Sequence, residues 1–231
     1  MSTGNAARRA VLVAGGISAK QCHDRYAREL AWWSAGLSAH GFSCRVCHGD
    51  GSRHAAFLPT APEIPGAATL DNVAAALAWL ACATDVAVLL ASNHGSKTGL
   101  CLWGADVLAP PQLGEILGPG APGGPSRILV MGQCNGGVFG QLADSKTAVL
   151  SASTADESSW ACKSPPGPAA YDEFLYQLGT ALFGAPADAA QSGPTSSLSL
   201  ADAFAWAKQH DRQKESPMLF DPDGITGGVF L

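Results

Sequence analysis

The chain is short of charge: Asp, Glu, Lys and Arg together make up only 14% of its 231 residues. The 14 basic residues are scattered without forming a patch, and the formal net charge is −5. Because affinity for phosphate backbones needs clustered Lys and Arg, the sequence argues against a nucleic-acid partner. Hydrophobic residues account for 47% of the chain, which is typical of a globular protein and not of a disordered one.

Long apolar runs and internal repeats are also missing. No stretch reaches the roughly 18 to 20 apolar residues that span a bilayer, and no stretch of the signal-peptide type follows Arg8 and Arg9. We therefore expect a cytoplasmic protein without a membrane partner. The cysteines are seven in number and irregularly spaced, which favours reduced thiols over a disulfide framework.

Strand-like and helix-like segments alternate along the chain. Short apolar runs rich in β-branched residues predict strands at 10–14, 42–47, 85–91, 127–132 and 147–152. Longer segments predict helices at 21–39, 72–82, 171–183 and 198–210, and a Gly- and Pro-containing stretch predicts a loop at 51–67. This alternation indicates right-handed crossovers and a mostly parallel sheet covered on both faces. We expect one domain over residues 10–231 after a disordered tail at 1–9; the oligomeric state stays open.

Two motifs directly follow two of the predicted strands, at the strand ends where open α/β sheets bind their ligands. Residues 91–96 read ASNHGS, and residues 132–137 read GQCNGG. A strand-to-turn junction exposes a nucleophile, and the free backbone N–H groups there can stabilise an oxyanion. Glycines let the backbone approach a substrate carbonyl. The two motifs together predict Cys134 as a nucleophile and His94 as its base.

The sequence GQCNG also fits the Gly-x-nucleophile-x-Gly elbow of α/β-hydrolases and of class I glutamine amidotransferases. In both of those classes the histidine follows the nucleophile. Here the only histidine after Cys134 is His210, in a polar helix end, whereas His94 precedes the cysteine. The order favours His94. A cysteine-dependent hydrolase of small esters or lactones that uses His210 is the alternative enzyme, and an interaction module is the non-enzymatic one.

A His-Gly block followed by a Cys block is the order found in the caspase–legumain clan of cysteine peptidases. The chain resembles bacterial legumain-like peptidases over about residues 10 to 180. The segments that carry the resemblance are VLVAGG…CHDRYARELAWW (11–33), SNHGSKTG (92–99), ILVMGQCNGGVFG (128–140) and SASTADESSWAC (151–162). The resemblance implies a caspase-like three-layer α/β/α sandwich. It also implies a cysteine endopeptidase that acts on peptides or proteins and needs neither a metal nor an organic cofactor.

The same resemblance assigns roles to single residues. It makes His94 the general base or acid, Cys134 the nucleophile, and the backbone N–H groups of Gly95 and Cys134 the oxyanion donors. The residues that fall where the family lines its specificity pocket are Ser158, Ser159 and, by a looser alignment, Asp172. A peptide ligase or transamidase on the same fold would use the same residues.

Two departures from the family pattern concern specificity. The arginine and histidine that legumains place after the first strand are missing, since residues 16–18 read GIS, and Gly132 replaces an acidic residue two positions before the nucleophile. An Asp172 carboxylate without that arginine favours a cationic guest and predicts cleavage after Lys or Arg. Cleavage after asparagine is the alternative, and either Lys20 or Arg25 would then replace the lost arginine.

Other candidate residues carry weaker signals. Cys44, Cys47 and His48 match the haem-attachment pattern CxxCH, and with His54 they offer zinc ligands. No export signal accompanies the first pattern and no second ligand pair of standard spacing accompanies the second, so neither a haem nor a metal site is predicted. His23 is interpreted as a helix-face residue that packs on the sheet.

Overall fold

The structure is a computed structural model that describes residues 7–52, 63–163, 171–186, 193 and 197–231. Its strands are β1 (Arg8–Ala14), β2 (Ser43–His48), β3 (Glu63–Gly66), β4 (Val86–Ser92), β5 (Gly95–Ser96), β6 (Gly99–Cys101), β7 (Val107–Leu108), β8 (Ser126–Met131), β9 (Thr147–Ser151) and β10 (Met218–Phe220). Its α-helices are α1 (Asp24–Ala39), α2 (Leu70–Leu80), α3 (Pro110–Leu117), α4 (Glu173–Phe183) and α5 (Leu200–His210). Short 3₁₀ helices span Gly136–Leu142 and Ile225–Gly228.

Seven of these strands form a central sheet in the order β10-β9-β8-β4-β1-β2-β3. Neighbouring strands run parallel except at the edge, where β10 is antiparallel to β9. The mostly parallel sheet is therefore confirmed. In the centre, β4 pairs with β8 in a register that sets Ala91 opposite Met131. A small antiparallel sheet of β5, β6 and β7 follows β4.

Two cores lie on opposite faces of the central sheet, because successive side chains of a strand point to opposite faces. Along β1, Ala10 and Leu12 belong to one core, and Val11 and Val13 belong to the other. The first core is completed by α1, α4 and α5, and the second by α2 and α3. Helices thus cover both faces, which confirms the predicted α/β/α sandwich.

Helix α1 follows directly from its apolar spacing. Tyr26, Leu30, Trp33 and Leu37 recur every three or four residues and are all buried. The helix begins at residue 24 and not at 21, because the backbone N–H groups of residues 21 and 22 both bond to the Ser18 carbonyl in a turn. That turn carries the chain from the end of β1 across the carboxyl edge of the sheet.

The elements that the sequence did not predict are short. They are β3, which lies inside the predicted loop 51–67, the small sheet of β5 to β7, helix α3, strand β10 and both 3₁₀ helices. Hydrophobic periodicity needs a longer window than these segments offer. At the N-terminus, β1 already includes Arg8 and Arg9, so these residues do not belong to the predicted tail; residues 1–6 lie outside the described residues. Within the described residues, no helix is long and apolar enough to cross a membrane.

Trp33 provides a test of the core between α1 and α4. Its side chain is fully buried, and its ring meets that of Phe183 edge-on with centroids 5.3 Å apart. We expect Trp33→Ala to lower the free energy of unfolding by about 3–5 kcal/mol, because it removes packing and leaves a cavity. Chemical denaturation measures this. The control is Trp160→Ala at a ring that is 52% exposed, where the loss should stay under about 1 kcal/mol; equal losses would contradict the packing described here.

Candidate active site

His94 lies in the short connection between β4 and β5, and the buried Asn93 side chain fixes that connection. Asn93 Oδ1 accepts hydrogen bonds from the backbone N–H groups of His94 (2.8 Å) and Gly16 (2.7 Å). Asn93 Nδ2 donates to the carbonyl of Cys101 at 2.7 Å. One amide side chain thus joins the ends of β1, β4 and β6, and it holds the backbone of the candidate base in place.

The imidazole of His94 is half-buried and is surrounded by residues from the start of α1 and the turn before it. Its Nε2 lies 3.4 Å from the Tyr26 hydroxyl, and the ring also hydrogen-bonds to the backbone carbonyl of Gln21. Burial, followed by the charges of His23 and Arg25, lowers the pKa of His94 below its ordinary value. His94 is therefore neutral near pH 7, the form that a general base requires.

Cys134 follows β8 at a sharp change of chain direction. Asn135 adopts the left-handed conformation with φ of 57°, which asparagine tolerates better than most residues. Its backbone N–H donates to the Glu157 carbonyl at 2.7 Å, and its side-chain amide donates to the Ala155 carbonyl at 2.8 Å. The chain then enters the 3₁₀ helix Gly136–Leu142. This turn leaves the Cys134 thiol half-buried at the carboxyl edge of the sheet.

The two predicted motifs meet at Gly95. A Cβ atom at Gly95 would lie only 2.2 Å from the Cys134 carbonyl oxygen and 2.4 Å from Gln133 Cγ. Only glycine allows this approach, which brings the His94–Gly95 backbone directly against the candidate nucleophile. Tyr26 lies near both motifs. Its hydroxyl contacts His94. The pKa of that hydroxyl is raised by burial first, then by the charge of Asp172, and to a smaller extent by Cys134.

Ser159 also lies at the nucleophile. Its backbone N–H donates to Cys134 Sγ at 3.3 Å, and its hydroxyl lies 3.8 Å from the same sulfur. Ser158, the other serine predicted for the pocket, is exposed. The structure therefore brings one of the two serines to the sulfur and leaves the other at the surface. An N–H group at this position can stabilise negative charge on the sulfur.

Asp172, at the N-terminus of α4, is paired and not isolated. Its Oδ1 accepts from Arg25 Nε at 2.9 Å, and its Oδ2 accepts from the Ser92 hydroxyl at 3.0 Å. The premise of an unpaired pocket carboxylate is therefore wrong, because Arg25 supplies a cation from α1. Of the two residues considered for this role, the other, Lys20, is exposed in the turn before the helix.

A buried carboxyl group lies behind Asp172. Glu29 is fully buried, and its burial, reinforced by the negative charge of Asp172, raises its pKa well above the ordinary value. The raised pKa favours the neutral form of Glu29, and its Oε2 is in hydrogen-bond contact with the Ser92 hydroxyl. Ser92 in turn donates to Asp172. The Ser92 hydroxyl thus connects the two carboxyl groups, and Arg25 forms an ion pair with one of them, Asp172.

The loss of an acidic residue at Gly132 has a steric cause. A Cβ atom there would lie 2.4 Å from Leu175 Cδ1 and 2.9 Å from the Ala91 carbonyl oxygen. Helix α4 packs so closely on the end of β8 that no carboxylate side chain fits. In this chain, an acidic group of the site therefore has to come from another segment, and Asp172 at the start of α4 is such a group.

The alternative histidine, His210, is engaged within its own helix. Its Nδ1 bonds with the Trp206 carbonyl at 2.8 Å, and its ring stacks on the Trp206 ring with centroids 3.9 Å apart.

The two cysteines considered as metal ligands lie apart from each other. Cys44 packs against one core and Cys47 is buried in the other, and His54 lies outside the described residues. Across the described part of the chain, no cluster of three or more His, Cys, Asp or Glu side chains is placed to hold a metal ion.

Several residues around His94 and Cys134 were not predicted from the sequence. His23 does not pack on the sheet; it is exposed, and its ring centroid lies 6.0 Å from that of His94. Tyr26 and Glu29 occupy the core-facing stripe of α1, where they read as packing residues. Asn93 stands next to a candidate base, and this position is the sequence signal that points to it.

Comparison with known proteins identifies the family and the fold. The family model of the peptidase C13 family matches residues 81–224, well over half of the chain. Among solved structures, the crystal structure of caspase-1 from Spodoptera frugiperda is similar, with a TM-score of 0.55 and 11% identity over 95% of this chain and 88% of that chain. This likeness shows a caspase-like fold. No curated protein sequence matches the chain. From the family match, the chain belongs to the peptidase C13 family of cysteine peptidases, within the legumain–caspase clan.

Proposed function

We propose that this cysteine peptidase is an endopeptidase that uses Cys134 as its nucleophile and His94 as its general base and acid. The observation that carries the proposal is the packing of the His94–Gly95 backbone directly on Cys134. The His94 imidazole, with its lowered pKa, and the half-buried Cys134 thiol each lie three residues beyond a paired position of the neighbouring strands β4 and β8. Nucleophile, base and backbone donors at one point are what acyl transfer requires.

The proposed reaction passes through an acyl-thioester. Cys134 gives its thiol proton to His94, and its Sγ attacks the carbonyl carbon of the scissile bond while the backbone N–H groups of Gly95 and Cys134 hold the oxyanion. His94 protonates the leaving amine, which releases the C-terminal part of the substrate. His94 then takes a proton from water, whose oxygen attacks the thioester; the C–S bond breaks, the acid product leaves, and His94 returns the proton to the Cys134 sulfur. No step calls for a metal or an organic cofactor.

For specificity, the pairing of Arg25 with Asp172 favours a neutral amide over a basic side chain before the scissile bond. A carboxamide both donates and accepts hydrogen bonds, so it can satisfy a guanidinium and a carboxylate together. The Arg25 side chain is 21% exposed, against 9% for that of Asp172. A lysine or arginine guest would meet a cation before it reached the carboxylate. We therefore propose cleavage after asparagine, with Ser159 and the Arg25–Asp172 pair as the binding residues.

The catalytic pair is tested by three substitutions. We expect Cys134→Ala and His94→Ala each to lower kcat/KM for peptide cleavage by at least about 1,000-fold, because a nucleophile and its base act as a unit. His210→Ala serves as the matched control and should retain nearly all activity, since its ring is stacked on Trp206. An inactive His210→Ala variant would mean that the hydrolase-elbow interpretation is the right one.

Thiol reactivity tests the same pair without a substrate. Burial raises the pKa of the Cys22, Cys44, Cys47, Cys101 and Cys162 thiols, that of Cys47 to about 12. Cys82 is the exposed thiol. We expect limiting iodoacetamide at pH 7 to modify Cys134 before every other cysteine, as mass-spectrometric mapping would show.

The exposed thiol of Cys82 provides an internal control. In His94→Ala, alkylation of Cys134 should slow by about tenfold or more, because the base that activates the thiol is gone. Alkylation of Cys82 should stay the same. If Cys82 reacts first in the wild type, or if both thiols keep their rates in His94→Ala, the proposed activation of Cys134 by His94 is refuted.

Specificity is tested by kcat/KM for matched fluorogenic peptides with Asn, Arg or Lys before the scissile bond. We expect Asn to be preferred by about tenfold or more, because one charge-assisted hydrogen bond contributes about 1.5–3 kcal/mol. In Arg25→Ala, the Asp172 carboxylate loses its cation, so the ratio should shift towards Arg and Lys. Arg28→Ala, at an exposed position on the same helix, is the control. A wild type that prefers Arg or Lys would refute the proposal for the pocket.

A further inference from the structure

Residues 157–161 carry Ser159 against the Cys134 sulfur, so the placement of this segment sets the geometry of the site. On one side, the backbone N–H of Glu173 donates to the Trp160 carbonyl at 2.9 Å. On the other side lies the loop 211–216, which follows α5. Its hydrogen bonds with the segment are Trp160 N to Glu215 Oε2 (2.8 Å), Gln213 Nε2 to Ala161 O (3.1 Å) and Ser216 Oγ to Glu157 Oε1 (3.1 Å).

Two carboxyl groups of this loop share an unusual environment. Glu215 Oε2 accepts from Trp160 N, and Asp211 Oδ1 accepts from the backbone N–H of Gln213 at 2.8 Å. Their other oxygens, Glu215 Oε1 and Asp211 Oδ2, are buried and have no hydrogen-bond donor among the described residues. Two buried carboxylate oxygens without donors are costly. A single proton removes the cost, because a carboxylic acid donates to a neighbouring carboxylate.

We propose that Glu215 carries this proton and donates it in a hydrogen bond to Asp211, and that the protonated pair is a positioning device that holds residues 157–161 against Cys134. The proposal rests on the proposed function of Cys134. It adds a role for the loop after α5, which contains none of the sequence motifs of the site. Glu215 acts through the Trp160 backbone and Ser159 and does not touch the reacting atoms.

The electrostatic surroundings agree with a proton on Glu215. Burial, followed by the charge of Asp211, raises the pKa of Glu215 to about 9. Burial also raises the pKa of Asp211. The described charged groups that face the pair come from the start of α4: Asp172 acts on Glu215, and Glu173 acts on Asp211. Both are acidic, so the surroundings favour retention of the proton and disfavour a second negative charge.

The proton shared by Glu215 and Asp211 therefore predicts that residues 157–161 lose their order at alkaline pH. The pKa of Glu215 is about 9 in the folded protein, against an ordinary value of 4.5. Its stabilising contribution is complete below the ordinary value and is lost as the pH rises through about 9. At pH 10 only about a tenth of the molecules keep the proton. In the others, two neighbouring charges repel each other beneath the Trp160 backbone, and the segment loosens.

The decisive experiment compares wild type with Glu215→Gln and Glu215→Ala. Glutamine can still accept from Trp160 N and donate to Asp211, but it does not titrate, whereas alanine does neither. From pH 8 to 10, kcat/KM of the wild type should fall by about tenfold more than that of Glu215→Gln. At pH 7, Glu215→Ala should lose about tenfold or more in kcat/KM relative to Glu215→Gln. Asp156→Asn removes an exposed carboxylate from the same surface and should follow the wild-type pH profile.

A second measurement does not depend on activity. The midpoint of thermal unfolding should fall more steeply from pH 7 to 10 in the wild type than in Glu215→Gln. If the protein lacks peptidase activity, the proposed function fails, and the unfolding midpoints still test the shared proton. If the enzyme is active but Glu215→Gln keeps the wild-type pH dependence in both measurements, or if Glu215→Ala matches Glu215→Gln at pH 7, the positioning role of the pair is overturned.

Discussion

The parallel pairing of β4 with β8 is the constraint on which the site depends. The register sets Ala91 opposite Met131, so His94 and Cys134 each lie three residues beyond a paired position. A slip of one residue would turn every side chain of one strand to the other face. The fully buried, apolar residues of both strands prevent such a slip, since each face packs into its own core. The cores that stabilise the sheet therefore also align the catalytic pair.

Strand pairing brings the two chain segments near each other, and the lack of a side chain at Gly95 lets their backbones come into contact. Gly95 has no Cβ, so its backbone can lie against the Cys134 carbonyl. The Asn93 side chain then ties this corner to the end of β1. Because these parts are backbone groups and one short buried side chain, the site can be rigid before any substrate arrives. Rigid backbone donors are also the groups that an oxyanion needs, since they require no rearrangement during the reaction.

The sequence was informative about this part of the site for a physical reason. A nucleophile and a base at the ends of two apolar strands can be recognised locally, and a parallel sheet gathers such ends at one edge. The residues around them could not be read in the same way. Arg25 meets Asp172 across 147 positions of sequence, and Tyr26 meets His94 across 68. No spacing rule links such pairs. Short elements such as β3 and α3 were not predicted for a different reason: they have too few residues to show a hydrophobic period.

The scarcity of charge in the chain has a consequence at the site. Glu29, Asp172 and Glu215 are all largely buried, and among the described residues Arg25 is the cation that pairs with one of them, Asp172. A low-charge protein that cannot provide a counter-ion for each buried carboxylate must keep some of them protonated. Burial, followed by the charge of a neighbouring carboxyl group, raises the pKa of both Glu29 and Glu215, and perturbed carboxyl groups of this kind concentrate at functional sites.

The proposed catalytic residues and the proposed specificity residues lie in different parts of the fold. The groups that would perform bond cleavage lie at the ends of β4 and β8, in the rigid centre of the sheet. The groups that would select the substrate come from α1, the start of α4 and residues 157–161, which hydrogen bonds and one ion pair hold together. Changes in the second set alter the shape and charge of the pocket and leave the register of the central strands intact. In this chain the cation opposite Asp172 is Arg25, in the first turn of α1, away from the strand ends that carry His94 and Cys134.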